Sequence, residues 1–404
     1  MSLLLLFPSD TLPTFDAPFL SGVLPAGLTY TNSSTTRTYF GADGLLKTAA
    51  ANAPIFEYNP LTLALLGMRW EMEQRTNLLL HSRSFTNAAW QGTGLTKTGG
   101  QTDASGGTSA VLLTGPSSSA LIQSLTTTAS GAHTFKIAAK GVSGTTEARF
   151  LVRNSTTGTN DVIGVVNPIA GTITSGAGWA SRSIGNGFYE YTFTTSITIT
   201  NGDNLSFYYG QTGNAPSGWN LIVDYAQLEA GSSSSSFIPT TTAAVTRQPD
   251  VLTASSISWY RQAEGTMVLE GIASAITAAN QGLFVFSNGT AAERIFTRYS
   301  TAGNPSLLDV SGNVAQCVIA TSVAPAGSVF RHAASYKINN FNAATNGTLG
   351  TPDTSGAVAS GVNALTFGYE SPTGGTGPFM GYARRFQYYN TRLPNGQIQG
   401  MSRV

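Results

Sequence analysis

Residues 188–200 read FYEYTFTTSITIT, and this run decides the fold class. Phe, Tyr, Thr and Ile favour strands, because aromatic and β-branched side chains pack well on a pleated sheet. Similar runs lie at residues 133–140 (HTFKIAAK), 205–210 (LSFYYG) and 220–228 (NLIVDYAQL). Gly, Asn and Ser clusters separate the runs, as expected for short strands joined by turns. Residues 75–250 are therefore predicted to form a β-sandwich or jelly roll.

The same kind of sequence continues to the end of the chain. Strand-like runs lie at residues 266–273 (TMVLEGIA), 282–287 (GLFVFS), 364–370 (ALTFGYE) and 380–390 (MGYARRFQYYN). These runs are again separated by turn-forming clusters, so they predict a second sandwich over residues 251–404.

Length and composition agree with this prediction. A chain of 404 residues suits two or three domains. Charged residues make up 10 %, against ~25 % in typical globular domains, and the Glu, Lys and Arg that helices carry on their wet faces are scarce. Residues 393–401 predict one helical turn. The predicted fold class is all-β: two antiparallel β-sandwich (jelly-roll) domains, preceded by an N-terminal extended or β-type anchoring region.

The predicted anchoring or assembly region covers residues 1–74. It ends in GMRWEMEQ, residues 67–74, where apolar and charged side chains alternate. This period of two predicts a strand with one buried and one wet face. The apolar set is Met68, Trp70 and Met72, and the charged set is Arg69, Glu71 and Glu73. Many apolar residues and few turn signals favour packing of this region on the middle module or on another subunit.

Charge and cysteine content exclude several functions. Lys and Arg number 21 against 20 Asp and Glu, for a net charge of +1 without any basic run, so nucleic-acid binding is not expected. Cys317 is the single cysteine, which excludes an internal disulfide and a cysteine-based zinc site. The apolar run at residues 3–7 lacks the length and basic flank of a signal peptide, and no stretch approaches the ~20 apolar residues of a membrane span. Synthesis in the cytoplasm without membrane insertion is expected.

Two phrases bracket the middle region. RTNLLLHSRSFTNAAW opens it at residues 75–90, and AQLEAGSSSSSFIPTTTAAVTRQPD closes it at residues 226–250. Together they resemble the opening and the end of a β-sandwich module of tailed-bacteriophage virion proteins. GNGFYEYTFTTS (residues 185–196) is similar to that family's Gly-aromatic-Tyr strand, and residues 36–60 are similar to its lead-in segment. Such modules are jelly rolls similar to carbohydrate-binding modules, and are often named for head-spike or tail-fibre proteins.

The last region has a second resemblance. FRHAASYKINNFNAATNG (residues 330–347) and MGYARRFQYYNTRLPNGQIQ (residues 380–399) resemble strands of laminin-G or concanavalin-like lectin sandwiches. Where such lectins bind calcium, acidic loop residues are expected. Asp309 and Asp353 stand apart in this sequence, so neither a metal nor another cofactor is expected.

The resemblances imply a structural, non-enzymatic virion protein, exposed on the particle and made in the host cytoplasm. In this hypothesis it is a short spike or fibre, commonly a homotrimer, which binds other virion proteins of the tail or capsid through residues 1–74 and adheres to host-surface glycan. An alternative is a capsid decoration or head-fibre protein without glycan binding. A remote alternative is a polysaccharide depolymerase that uses Glu71 and Glu73, which would lie about 7 Å apart on one strand face.

Glycan recognition needs flat aromatic faces beside amides or hydroxyls. The middle region supplies five candidates for contact with a glycan or a subunit: Trp179, Tyr189, Tyr208, Tyr209 and Trp219. Trp219, in the loop-like NAPSGWN, is the first choice. Core packing is the favoured explanation for any one of these aromatics taken alone. Because successive strand residues point to opposite faces, one of Tyr208 and Tyr209 is expected to face outward.

The last region supplies four further candidates: Arg384, Arg385, Tyr388 and Tyr389. Guanidinium groups beside tyrosines can stack on a sugar or on a neighbouring subunit. Strict alternation would place Arg384 on one strand face with Phe386 and Tyr388, and Arg385 on the other face with Tyr389. A purely structural strand, with arginine stems that cover the sheet, is the favoured interpretation.

Overall fold

The computed structural model describes residues 12–116, 119–145, 147–210, 219–254, 256–277, 279–374 and 377–404. Within these residues, four large antiparallel sheets form two sandwiches, and two small two-stranded sheets and one short α-helix complete the fold. The prediction of an all-β protein built from antiparallel sandwiches is confirmed.

The first part of the chain forms short strands around a 3₁₀ turn at Phe19–Ser21. These strands are β1 (Phe15–Ala17), β2 (Leu28–Thr31), β3 (Arg37–Phe40), β4 (Leu46–Ala49), β5 (Phe56–Tyr58), β6 (Leu65–Glu71) and β7 (Arg75–Asn77).

The middle sandwich follows. Its strands are β8 (Gln91–Thr93), β9 (Thr96–Gln101), β10 (Ala110–Gly115), β11 (Ala120–Thr126), β12 (His133–Gly141), β13 (Ala148–Asn154), β14 (Thr159–Asn160), β15 (Gly164–Asn167), β16 (Thr172–Ser175), β17 (Trp179–Gly185), β18 (Phe188–Thr194), β19 (Asn204–Tyr209) and β20 (Trp219–Ala230).

The last part of the chain contains the remaining strands and the helix. They are β21 (Val245–Arg247), β22 (Val251–Ala254), β23 (Glu264–Ala273), β24 (Gln281–Ser287), β25 (Arg294–Tyr299), β26 (Pro305–Ser311), β27 (Val314–Ala320), β28 (Val329–Lys337), β29 (Asn342–Thr345), β30 (Thr348–Leu349), β31 (Ala364–Phe367), β32 (Met380–Tyr389) and α1 (Asn395–Met401).

The middle sandwich packs a sheet of order β17-β18-β12-β20-β10-β9 against one of order β16-β15-β13-β19-β11-β8, in which β14 also pairs with β13. Strand β18 shows why the sequence builds this layer. Its alternation buries Tyr191 and Phe193 in the shared core and directs Glu190 and Thr192 to the outer face of the sheet, where both line a cavity.

The last sandwich is completed by the N-terminal strands. One of its sheets has the order β30-β29-β28-β23-β32-β6-β5, with β1 also paired to β32, and the other has the order β2-β22-β31-β24-β25-β26-β27. Trp70 of β6 lies at the centre of the core, with its ring centroid 5.9 Å from that of Phe19, 5.4 Å from Phe367 and 6.1 Å from Phe379. Residues 12–71 and 251–404 therefore share one hydrophobic core.

This arrangement differs from the expectation that residues 1–74 pack on the middle module or on another subunit. The β3–β4 hairpin does pack on the middle sandwich, where Phe40 and Leu46 contact Phe188 and Tyr225, but β1, β2, β5 and β6 belong to the last one. The predicted wet face of β6 is also wrong at two positions, since Arg69 and Glu71 are buried. The middle sandwich covers that face. The alternation of apolar and charged residues shows that β6 has two different faces, but it does not show that another domain packs on the charged one.

A β-bulge changes the alternation in β32. Arg385 lies opposite Glu270 of β23, while Ala383 lies opposite the next residue, Gly271, so that Arg384 is an extra residue in its strand. Ala383 and Phe386, three residues apart, therefore both face the core. The prediction that Arg384 shares a face with Phe386 is wrong for this reason.

Helix α1 confirms the predicted helical turn at the end of the chain. Ile398 of the helix and Leu393 before it pack on Val268 and Tyr389, on the face of the eight-stranded sheet that points away from the main core. The helix thus covers the apolar side chains that this sheet presents on its outer face.

The chain passes between the two sandwiches twice, and the two passages pair with each other. Strand β7 begins the opening phrase and β21 lies in the closing phrase, with Arg75 opposite Arg247 and Asn77 opposite Val245. The Asn77 amide donates to the carbonyls of Ala226 and Ile238, at 3.2 and 2.8 Å. The described parts of these two phrases therefore act structurally, because they hold the entrance and the exit of the middle sandwich together.

Candidate functional site

A cavity of about 340 Å³ lies between the two sandwiches. On one side it is lined by the outer faces of β17 and β18, and on the other by β5, β6 and the start of β32. The serine loop, residues 232–236, forms its third wall. The volume is at the lower end of the ~300–1,000 Å³ range of small-molecule sites. This cavity is called the charged cleft below.

The last sandwich contributes a chain of alternating charges to the charged cleft. Arg69 donates from Nη1 to Glu57 Oε2 at 2.7 Å, and its Nε lies 3.4 Å from Glu71 Oε2. Arg247 Nε lies 3.6 Å from the same Glu71 oxygen. The Tyr382 hydroxyl completes the row by donating to Glu57 at 2.9 Å. Each buried charge is thus matched by an opposite one, as burial requires.

The middle sandwich contributes a second cluster, centred on Glu190. Its Oε1 accepts a hydrogen bond from Arg182 Nε at 2.8 Å, and its Oε2 accepts one from the Tyr225 hydroxyl at 2.8 Å. Lys136 Nζ lies 3.4 Å from the same carboxylate and donates to the Ser235 carbonyl. This cluster therefore ties the outer face of the sheet to the serine loop.

The serine loop follows Gly231 at the end of β20, and hydrogen bonds to two glutamates hold its C-terminal end. Glu229 accepts from the backbone and hydroxyl of Ser235 at 2.7 and 2.6 Å. Glu71 accepts from the backbone and hydroxyl of Ser236 at 2.6 and 2.7 Å, which joins the two sandwiches. Ser232 remains exposed and Ser234 half-buried, so both present hydroxyls at the cleft.

The environment keeps both central carboxylates ionised. Burial alone would raise the pKa of Glu71, but the guanidinium groups of Arg247 and Arg69 and the bonds from Ser236 outweigh it and lower the pKa to about 2. Burial likewise opposes ionisation of Glu190, but Arg182 and Lys136 lower its pKa to about 2. The cleft is therefore a balanced ionic lattice rather than a site of one sign.

Arg182 differs from the other charges of the cleft because half of its side chain, 50 %, is exposed. Its Nε is engaged by Glu190, and its guanidinium carbon lies 5.9 Å from the centre of the Phe40 ring. Its two terminal nitrogens make no hydrogen bond to any residue that the structure describes. A planar guanidinium with free terminal nitrogens suits a carboxylate or paired hydroxyls of a ligand.

The ionic lattice predicts acid sensitivity. Glu71 and Glu190 have a pKa near 2 in the folded chain and an ordinary value of 4.5. Their stabilisation is therefore complete above pH ~4.5 and is lost as the pH falls through 2, because the unfolded chain takes up the protons first. We expect the free energy of unfolding in urea to fall across this window. The decline should be shallower in a Glu71→Gln/Glu190→Gln variant, and identical slopes in both chains would contradict this account.

Two predicted contacts in the middle sandwich are core residues instead. Trp179 is 7 % exposed, stacks on Phe193 at 4.9 Å and donates from its indole nitrogen to the Val162 carbonyl at 3.0 Å. Tyr209 is fully buried, with its ring 5.5 Å from that of Trp90. These two predictions are wrong, because the sandwich needs large rings to fill the space between its sheets.

The other middle candidates differ in position. The Tyr189 ring is half-buried against Gly171, where an added Cβ would come within 2.0 Å of it. Tyr208 is half-buried on the opposite strand face from Tyr209, so the pair divides as strand alternation requires. Trp219 begins β20, and its side chain lies outside the described residues. Tyr208 thus remains a predicted contact with a glycan or a subunit, and it is not part of the cleft lining.

In the last sandwich, Tyr388 and Tyr389 are buried, which removes both as surface contacts. Tyr388 lies in the main core with its hydroxyl 2.7 Å from that of Tyr336, and Tyr389 packs beside α1. Arg384 is half-buried and bonds to Glu270 at 2.7 Å. Arg385 is exposed and paired with Asp16 at 2.7 Å, so it alone of the four stays freely accessible.

The carboxylate pair of the depolymerase hypothesis does not form a catalytic arrangement. Glu71 is buried between two arginines, whereas Glu73 has 41 % of its side chain exposed and pairs with Arg75 at 2.6 Å. An inverting glycosidase needs one carboxyl with a raised pKa to act as the general acid. The pKa of Glu71 is lowered instead, which is unsuited to that acid. Its oxygens are held by Ser236 and the two arginines, so the geometry does not support Glu71 as a partner of Glu73 in catalysis.

Sequence reasoning missed the main cleft residues, namely Arg182, Glu190, Lys136 and Tyr382. A usable signal existed, because charged residues are rare in this chain and Glu190 interrupts the aromatic run FYEYTF. Charges in the interior of a strand point to a covered polar face. Among the described residues, no group of three or more His, Cys, Asp or Glu side chains is arranged to hold a metal. No described helix has both the length and the apolar character to cross a membrane.

Comparisons with known proteins do not assign a family. No protein-family model matches the chain, and no curated protein matches it.

Solved structures show a limited similarity. The CBM40 of Ruminococcus gnavus IT-sialidase, bound to alpha2,3 sialyllactose, is 18 % identical over 36 % of this chain and 84 % of its own, with a TM-score of 0.32. The NanB sialidase of Streptococcus pneumoniae is 13 % identical over 35 % of this chain and 25 % of its own, with a TM-score of 0.31. A SAP-like pentraxin of Limulus polyphemus is 12 % identical over 34 % of this chain and 68 % of its own, with a TM-score of 0.27. Alignments of this extent identify neither a family nor a ligand.

Proposed function

We propose that the protein is a structural, non-enzymatic protein of a tailed-bacteriophage virion, a short spike or fibre that adheres to host-surface glycan. The opening and closing phrases at residues 75–90 and 226–250 support the virion setting. A surface with few charges and many hydroxyls and amides suits adhesion through hydrogen bonds. In this proposal the protein is a homotrimer on the particle surface, and its repeated weak sites gain strength from avidity.

The single observation that carries glycan binding is the exposed Arg182 in the charged cleft. Its terminal nitrogens share a cavity of about 340 Å³ with Ser232 and Ser234 of the serine loop. Saccharides present closely spaced acceptor oxygens, and a fixed guanidinium fork matches a sugar carboxylate or a pair of hydroxyls. The lattice of buried charges holds this fork in place before any ligand arrives, which lowers the ordering cost of binding.

Substitution of Arg182 tests the cleft. On a glycan array the full-length protein should bind glycans that carry carboxylate groups, and Arg182→Ala should weaken that binding about 10- to 100-fold, the range expected for a charge-assisted hydrogen bond. Arg261→Ala is the matched control, because Arg261 is similarly exposed and also pairs with a glutamate, 3.0 Å away, outside the cleft. Its binding should equal that of the wild type.

A silent array, or equal binding by the two variants, would remove glycan adhesion through the cleft. Electron microscopy of the virion would then decide the remaining role. Density over the capsomers would support capsid decoration without glycan binding, and density projecting from the tail would keep the spike or fibre assignment with a different binding surface.

A further inference from the structure

A second cavity, of about 350 Å³, lies against the other face of strand β5. Glu57 in the middle of this strand points into the charged cleft, whereas Phe56 and Tyr58 on either side of it line the second cavity. Because successive side chains point to opposite faces of a strand, the backbone of β5 is the wall between the two cavities. The second cavity is called the aromatic pocket below.

Three half-buried rings form the aromatic pocket: Tyr39 of β3 and Phe56 and Tyr58 of β5. Apart from Lys47, the rest of its wall consists of small residues, Thr48 and Pro54, so these three rings are the only aromatic groups in the described lining. The pocket belongs to the part of the chain that sequence reasoning treated only as an anchor. It lies outside every candidate contact named from the sequence.

Polar groups stand at the rim of the aromatic pocket: Lys47 lines it, and Asp43 directly follows the lining residue Ala42. Lys47, which pairs across the hairpin with Tyr39, has its Nζ 2.8 Å from Asp43 Oδ2, and the two side chains are 43 and 47 % exposed. The hydroxyls of Tyr39 and Tyr58 make no hydrogen bond to any described residue. The rim thus offers an ammonium, a carboxylate and two phenols to a ligand at once.

We propose that the aromatic pocket is a second carbohydrate site and that it takes one neutral sugar ring. The C–H face of a sugar can stack on the exposed rings, while its hydroxyls accept from Lys47 and donate to Asp43. A neutral sugar is favoured because the Lys47–Asp43 pair cancels its own charge and leaves no guanidinium fork, such as that of Arg182, to bind a sugar carboxylate. This site extends the proposed adhesion function to a second contact on the same chain, but its occupancy does not depend on the charged cleft.

An apolar peptide is the other occupant that the exposed side chains of Leu20 and Val23, near this rim, could favour. The polar groups argue against it. A peptide that covered the pocket would have to bury the Lys47–Asp43 pair and two unpaired phenols, and each buried polar group without a partner is costly. A sugar hydroxyl satisfies the same groups.

Saturation-transfer NMR on the full-length protein tests the proposal, with glucose, galactose, mannose, N-acetylglucosamine and rhamnose as separate probes. At least one sugar should receive saturation. In the Tyr58→Ala variant its affinity should fall about tenfold, the scale of a lost aromatic contact. Leu61→Ala is the control, because Leu61 lies three residues from Tyr58, is exposed and is outside the pocket lining, and this variant should retain the signal.

A second variant leaves every native contact in place. Ala42 is an exposed turn residue that lines the pocket, and Ala42→Trp should block the sugar without loss of thermal stability. Absence of saturation for all five sugars, or unchanged transfer in both Tyr58→Ala and Ala42→Trp, would overturn the proposal. Arg182→Ala should leave this signal intact, so a failure of the charged cleft and a failure of the aromatic pocket are distinguishable.

Discussion

A fragment of residues 251–404 is expected to remain unfolded, although it contains the whole region that resembles a lectin sandwich. It lacks β1, β5 and β6 from one sheet and β2 from the other. It also lacks Phe19 and Trp70, which lie among the aromatic rings of the shared core. Loss of a single buried tryptophan costs about 3–5 kcal/mol, and a typical domain has only about 5–15 kcal/mol of stability in total.

The pairing of β7 with β21 supplies a matched control for this experiment. Because Asn77 lies opposite Val245, a short Asn-Gly turn can join residue 77 directly to residue 245. A chain of residues 12–77 joined to 245–404 restores every missing strand and should fold. Amide NMR spectra should be dispersed for this joined chain and collapsed for 251–404, whereas a dispersed spectrum from 251–404 alone would contradict the shared core.

Replacement of Glu71 by alanine should destabilise the protein by about 3–5 kcal/mol, the cost of leaving buried charges unpaired. The substitution removes the carboxylate shared by Arg69 and Arg247 and the acceptor for Ser236. Arg247 is fully buried and the Arg69 side chain is only 8 % exposed, so hydration can compensate little. The bond between the serine loop and β6 is lost at the same time.

Glu73→Ala is the control for this prediction. Glu73 lies two residues further along and has 41 % of its side chain exposed, and its buried partner Arg75 keeps its bonds to the Ala230 carbonyl and Ser233. The loss of Glu73 should therefore cost only about 1 kcal/mol, the net value of one hydrogen bond. Urea unfolding of the two variants gives the comparison. Should Glu71→Ala fail to fold, Glu71→Gln retains an acceptor for Ser236 and should lie between the wild type and the alanine variant. Equal stability of the alanine variants at positions 71 and 73 would refute the role of the lattice.

The fold class was predictable because it depends on local patterns. Runs such as residues 188–200 alternate within a few residues, and the sheet they form follows from that alternation. The partner of a strand does not follow. Strand β6 shows the correct period, but it pairs with β32, some 300 residues away (Met68 with Ala383), and periodicity carries no information about such a distance. The bulge at Arg384 was also not predictable, because the extra residue is defined by its pairing with β23 and does not alter the local sequence pattern.

The candidate sites were less predictable than the fold. Sequence reasoning looked for exposed aromatics, and most of the chosen rings fill the cores, because a sandwich consumes its largest side chains there. The charged cleft draws on Glu57, Glu71, Arg182 and Glu190, which only the docking of two sandwiches brings together. The aromatic pocket depends on a hairpin meeting an edge strand, again a contact between distant parts of the chain.

The adjacency of β7 and β21 makes the middle sandwich an insertion within a parent domain. In the parent domain, the strands that lead into and out of the middle sandwich, β7 and β21, pair with each other. Genetic exchange at these two points would therefore replace one complete middle sandwich by another. The replacement need only offer a neighbour for Glu71 and a cover for the outer face of β6. One recombination event of this kind would exchange the whole middle sandwich while the parent domain stays unchanged.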